Sequence, residues 1–185
     1  MTTLSDRPAT ALLVVDAQAG VVAGAFARDA VVAAINTAVK KARAAGVPVI
    51  WVRHANAHLT PGGKAWQIVP ELSPALGETM IEKLYPDAFE ETGLEEALAR
   101  EKAGRLIVAG AQSDECIRAT LHGAIARGYD VILVGDAHTT EDQTAWGAPP
   151  PDKVIAHTNL YWANHRAPGR ATGVVKAAEL DFGVA

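Results

Sequence analysis

The chain is nearly free of cysteine: Cys116 is its only thiol in 185 residues. One cysteine cannot form an internal disulfide, which agrees with a reducing compartment. Aromatic residues make up only 5%, and no basic block interrupts a net charge of −4. That balance argues against a nucleic-acid surface and leaves a small molecule as the expected partner. No apolar run approaches the ~20 residues of a membrane span. The opening Met1-Thr2-Thr3-Leu4-Ser5-Asp6-Arg7-Pro8 also lacks the charged-then-apolar pattern of a secretion signal. A cytoplasmic, soluble protein with no membrane partner is therefore expected. The chain has no GxGxxG or phosphate-loop pattern either, so no nucleotide cofactor is expected.

What is present is apolar and regularly ordered. With 49% hydrophobic and 21% charged residues, residues 1–185 fit one compact domain with a sizeable core. Strand-like apolar runs alternate with helical stretches. Ala11-Leu12-Leu13-Val14-Val15-Asp16 is apolar up to its last residue, as in a strand covered on both faces. Further strands are expected at 47–53, 80–84, 105–109, 129–135 and 173–180, with helices at 29–45, 92–102 and 114–127. The segment 54–74 carries Pro61, Gly62, Gly63, Pro70 and Pro74 and reads as an irregular excursion that shapes a pocket. The segment 138–170 is expected to mix loop and helix. The fold class is thus α/β: one doubly wound, mainly parallel six-stranded sheet, Rossmann-like, with helices on both faces.

In such a sheet the first and fourth strands are neighbours, with a crevice at their C-terminal ends. Asp16 and Cys116 converge there, and Lys83, near the end of the third strand, joins them. A thiol in the first turn of a helix meets free N–H groups and the positive end of the macrodipole, which lower its pKa. The plain alternatives are a buried cysteine, a turn aspartate and a solvated lysine. Phe26, Trp66 and Tyr85 lie near the crevice and are candidates for walling it, with core packing as the alternative. Asp136, His138 and Thr139-Thr140-Glu141-Asp142 read as turn and capping residues.

Three elements in order carry a resemblance to the isochorismatase-like cysteine hydrolases. They are Asp16-Ala17-Gln18, Glu82-Lys83, and the nucleophile segment from Gly110 through Gln112-Ser113-Asp114-Glu115-Cys116 to Thr120. The resemblance implies an Asp16, Lys83, Cys116 triad that hydrolyses a C–N bond of a small amide or carbamoyl compound through a thioester. It also implies an oxyanion site at the N–H groups of Cys116 and Gln112, with a cis peptide between Ala111 and Gln112. Gln18 and His54 join the expected pocket residues, and a homodimer or homotetramer is implied. Nicotinamidases of this superfamily often hold a divalent metal through an aspartate and histidines beyond the second strand. Here the run is Trp51-Val52-Arg53-His54-Ala55-Asn56-Ala57-His58, which lacks the aspartate, and Arg53 opposes a cation. No metal is expected. Two alternatives stay open: vinyl-ether hydrolysis, and a non-catalytic oligomeric binding protein of the same fold.

Overall fold

The computed structural model describes residues 2–182. Met1 and residues 183–185, the ends of the expected 1–185 domain, lie outside the described residues. The strands are β1 (Ala9–Val15), β2 (Val49–His54), β3 (Thr79–Lys83), β4 (Ala103–Ala111), β5 (Asp130–Thr139) and β6 (Thr172–Val175). The helices are α1 (Ala19–Val22), α2 (Arg28–Ala44), α3 (Leu94–Arg100), α4 (Arg118–Arg127) and α5 (Pro151–Asn164). All six strands form one sheet in the order β3-β2-β1-β4-β5-β6, and every pairing is parallel. This is the doubly wound arrangement, with its switch point between β1 and β4.

Strand alternation explains the two layers. Leu12 and Val14 of β1 join Ile107 and Ala109 of β4 in packing against Val32, Ile35 and Val39 of α2. Ala11, Leu13 and Val15 turn the other way, with Leu106 and Val108, onto Leu98 of α3, Leu121 of α4 and Trp162 of α5. Both faces are covered, which is why these strands read as unbroken apolar runs. The long helix α2 stops at Gly46, whose φ of 68° is the left-handed conformation that glycine adopts without steric cost.

At the switch point β1 and β4 press together closely. Gly110 pairs with Val15 at φ +129°, and a Cβ built on it would lie 1.9 Å from the Val15 carbonyl oxygen. Only glycine fits that position.

Three expectations need correction. The sixth strand, expected over 173–180, ends at Val175 and is followed by a 3-10 turn at Ala177–Glu179. Asp136 does not end the fifth strand but lies inside it, where its carboxylate accepts the Ala177 N–H at 2.8 Å. The cysteine helix does not begin as an α-helix: Ser113–Ile117 is one π-helical turn that passes directly into α4. Within the segment 138–170, Trp162 is buried in the core and does not face a subunit contact.

Candidate active site

β1 and β3 end on the same edge of the sheet, and the π turn after β4 rises from that edge. This places Asp16, Lys83 and Cys116 together. Lys83 is the centre: its Nζ lies 2.7 Å from Asp16 Oδ2, 3.1 Å from Cys116 Sγ and 3.1 Å from His54 Nδ1. The ammonium has three hydrogens and three acceptors around it. Because it is a donor only, His54 accepts through Nδ1 and carries its proton on Nε2. Asp16 and Lys83 are each only 1% exposed.

Asp16 sits at φ 50°, one residue past β1, in the left-handed region that aspartate tolerates better than most side chains. Its contact with Lys83 is an ion pair by distance, and Oδ1 has no hydrogen-bond partner. Burial raises the Asp16 pKa, and Lys83 opposes that rise. Burial also lowers the His54 pKa, and the ammonium lowers it further, so His54 is neutral at pH 7.

The thiol departs from the sequence expectation. Its pKa is pushed up to about 12, first by burial and then by the Asp16 charge, against the lowering effect of Lys83. Desolvation of an anion outweighs the favourable turn and ammonium here. The resting sulfur is a thiol.

The peptide bond between Ala111 and Gln112 is cis. Gln112 O accepts the N–H groups of Glu115 and Ile117 at 3.1 Å each, which closes the turn beneath Cys116. A buried polar chain braces it from below. Ser113 Oγ lies 2.7 Å from His138 Nδ1, His138 Nε2 lies 3.0 Å from Asn159 Oδ1, and Asn159 Nδ2 donates to Gly135 O. Burial lowers the His138 pKa, so the ring is neutral and each nitrogen has a role.

A cleft of about 500 Å³ opens over Asp16 and Cys116, a size suited to a small ligand. Gly20, Val21, Leu59, Ala65 and Pro86 supply its apolar walls, and Asn56, His58, Gln112, Glu115 and Glu141 its polar lining. Of the expected pocket residues, only His54 lines this cleft. Gln18 is buried beneath it: its Nε2 donates to His54 O (2.9 Å) and Trp66 O (2.8 Å), and its Oε1 accepts from His54 N (2.8 Å). It ties the end of β2 to the irregular segment.

Trp66 packs with Ala55 and Leu59 and carries the Arg53 guanidinium 3.5 Å above its ring in a cation–π contact, and neither residue lines the cleft. Phe26 is 46% and Tyr85 44% exposed. Phe26 is held by its backbone, through Thr140 O and Thr139 Oγ1, not by its ring. Nothing in the local sequence marks Glu115 or Glu141 as a site residue. Glu141 reads locally as part of a cap, and only the loop's path across the sheet edge turns it into the cleft.

Asp16, His54 and Cys116 bring potential ligand atoms within 4.8 Å of one another. Their common centre is filled by the Lys83 ammonium. A metal ion there would displace or abut a fixed positive charge, so this donor set does not fit one.

The sequence and the fold match one family. The isochorismatase domain family covers residues 10–148, and the chain belongs to that family. Among curated relatives, a streptothricin hydrolase from Streptomyces noursei is 35% identical over 74% of this chain and 56% of its own length. This chain thus spans little more than half of that relative. The secreted isochorismatase effector Isc1 of Verticillium dahliae is 32% identical over 68% of this chain and 70% of its own. An isochorismatase of known structure from Pseudomonas putida superposes with a TM-score of 0.82 at 31% identity, covering 96% of this chain and 91% of that one. An N-carbamoylsarcosine amidase from Thermoplasma acidophilum shares the fold at a TM-score of 0.76. Other curated relatives are an N-carbamoylsarcosine amidase of Arthrobacter and a ureidoacrylate amidohydrolase RutB of Enterobacter.

Proposed function

We propose that this chain is a cysteine-dependent amidohydrolase that cleaves a C–N bond of a small amide or carbamoyl compound through a thioester. The observation that carries the reading is the Lys83 ammonium, held within 3.1 Å of the thiol sulfur and 2.7 Å of a buried carboxylate. A structural cysteine has no need of such neighbours.

The chemistry starts from a neutral thiol. With a pKa of about 12, ionising Cys116 alone at pH 7 would cost about 7 kcal/mol. Proton transfer therefore accompanies attack: the sulfur bonds to the carbonyl carbon as its proton passes to Asp16. The raised pKa of Asp16 makes it a better base than an ordinary carboxylate. The carbonyl oxygen becomes an oxyanion and takes hydrogen bonds from the backbone N–H groups of Cys116 and Gln112. Asp16 then gives its proton to the nitrogen, the C–N bond breaks, and an amine or ammonia departs. Water attacks the thioester as Asp16 takes one of its protons. Collapse of that adduct releases the acid, and the proton returns to sulfur. Lys83 holds Asp16 in place and offsets its charge through the cycle. No step uses a metal or nucleotide.

We assign the chain to the cytoplasm, which keeps the thiol reduced. We also assign it to a homodimer or homotetramer, with the exposed apolar side chains Trp146, Leu160 and Tyr161 available for contacts. A light-scattering mass of one chain across dilution refutes the assembly. The test of function is ammonia release from a panel of amides and carbamoyl compounds, with Cys116→Ala beside the wild type. Release that the variant lacks supports the reading, and release that the variant keeps overturns it.

A further inference from the structure

The lining of the catalytic cleft has a sign. Glu115 and Glu141 both face it, and neither side chain makes an ion pair or hydrogen bond among the described residues. Deeper in, the charges of Asp16 and Lys83 compensate one another, and His54 is neutral with its pKa lowered by burial. Among the described residues, no lysine or arginine lines the cleft. Two uncompensated carboxylates thus stand over an otherwise neutral site.

A second, separate observation sets the direction in which a ligand lies. Asp16, buried beside Lys83 and the Cys116 thiol, lines the cleft, and its Oδ1 has no hydrogen-bond partner by distance. With the sulfur next to it, it marks the floor as the place for the amide end. Val21, Leu59, Ala65 and Pro86 supply the apolar walls between floor and mouth.

We infer, on the basis of the hydrolase reading above, that the substrate is an amide carrying a positively charged group, joined to the reacting carbonyl by a short apolar chain. The carboxamide enters first, toward Cys116 and Asp16. The ammonium or guanidinium stays at the mouth with Glu115 and Glu141, and the methylenes lie along the apolar walls. A substrate with a carboxylate at the same end meets two like charges. At several ångström each carboxylate changes affinity by roughly 3-fold if fully solvated and ~100-fold if half desolvated, so the pair gives at least about tenfold discrimination.

Three matched probes test this: 6-aminohexanamide (cationic), heptanamide (neutral) and adipamate (anionic). Their dissociation constants are measured by calorimetry on the full-length Cys116→Ala protein, and kcat/KM on the wild type. The expected order is cation, neutral, anion, with at least about a tenfold gap between the first and last. That gap narrows as salt rises from about 20 to 300 mM. Glu115→Gln and Glu141→Gln each shrink the cation-to-anion ratio by about threefold or more, and Glu115→Asp and Glu141→Asp retain most of it. An equal or reversed order, or no binding of any probe at 10 mM, overturns the inference. Turnover that depends on Cys116 but ignores probe charge sinks the inference and leaves the hydrolase reading standing. Charge-ordered binding with no turnover of any probe counts against the hydrolase reading, overturns the assignment of a substrate, and leaves only the cleft's preference for a cation.

Discussion

Replacing Lys83 by methionine tests the centre of the site directly. The substitution keeps most of the side-chain volume and removes the charge, leaving Asp16 buried without its cation. Removing one partner of a buried ion pair costs about 3–5 kcal/mol in general. Asp16 sets its own ceiling, because the carboxyl can escape the cost by taking a proton. Holding an aspartic acid neutral at pH 7, against an unfolded pKa of ~3.9, costs about 4 kcal/mol, and at pH 5 about 1.5 kcal/mol. The wild-type pKa of Asp16 is already raised, so both figures are upper bounds for the loss.

The direction with pH follows from proton binding. A carboxyl whose folded pKa lies above its unfolded value binds protons more tightly when folded. Stability is then greatest below the unfolded pKa and falls as pH rises toward the folded one. Lys83→Met raises that folded pKa further, so the variant should lose more stability at pH 8 than at pH 5. Urea unfolding at both pH values measures it. The double variant Asp16→Asn, Lys83→Met should recover much of the loss, since no buried charge remains. A Lys83→Met protein within 0.5 kcal/mol of wild type at pH 8, with the double variant merely additive, would refute the argument that these groups form a buried pair.

Gly110→Ala should fail to yield soluble protein or unfold at least about 3 kcal/mol more easily, because its Cβ would meet the Val15 carbonyl at 1.9 Å; thermal melting decides it, and an unchanged melting temperature contradicts the close approach of β1 and β4. Gln18→Ala leaves the His54 and Trp66 backbone groups it serves without partners and should cost about 2–3 kcal/mol; a change under 0.5 kcal/mol in urea unfolding would show that water replaces it freely. His138 has a lowered folded pKa, so the unfolded chain binds its proton first. Stability should therefore fall as pH drops below about 6.5, by up to ~1.4 kcal/mol per pH unit for this group, and a His138→Asn variant should flatten that slope.

Much of the frame is legible along the chain. Ala11 to Val15 is apolar at every position because helices cover both faces, and the run ends where Asp16 reaches the sheet edge. Gly46 and Gly128 close helices where the pattern says they do. The sixth strand misled because Ala177 and Leu180 are buried in a 3-10 turn, and a short apolar stretch looks alike in either conformation. The four residues of α1 are too few to show a period.

The residues of the cleft were harder to read, for a physical reason. Trp66 and Tyr85 are aromatic and near the site in sequence, but one packs under Arg53 and the other faces solvent. Glu141 reads locally as part of a cap, and it faces the cleft only because the loop after β5 passes over the sheet edge.

The sequence by itself determined the alternation of strands and helices, the mainly parallel sheet it implies, and the placement of Asp16, Lys83 and Cys116 at strand ends. The alternation follows from local apolar periodicity and the placement at strand ends from chain direction, while the joint role of the three groups is what the family resemblance implies. Only the tertiary structure decided how the groups act on one another: that Lys83 contacts the thiol, the carboxylate and His54 at once, that the thiol is held neutral, and that two acidic groups face the cleft. Electrostatic energies depend on distances of a few ångström and on how much water remains, and segments far apart in the chain set both.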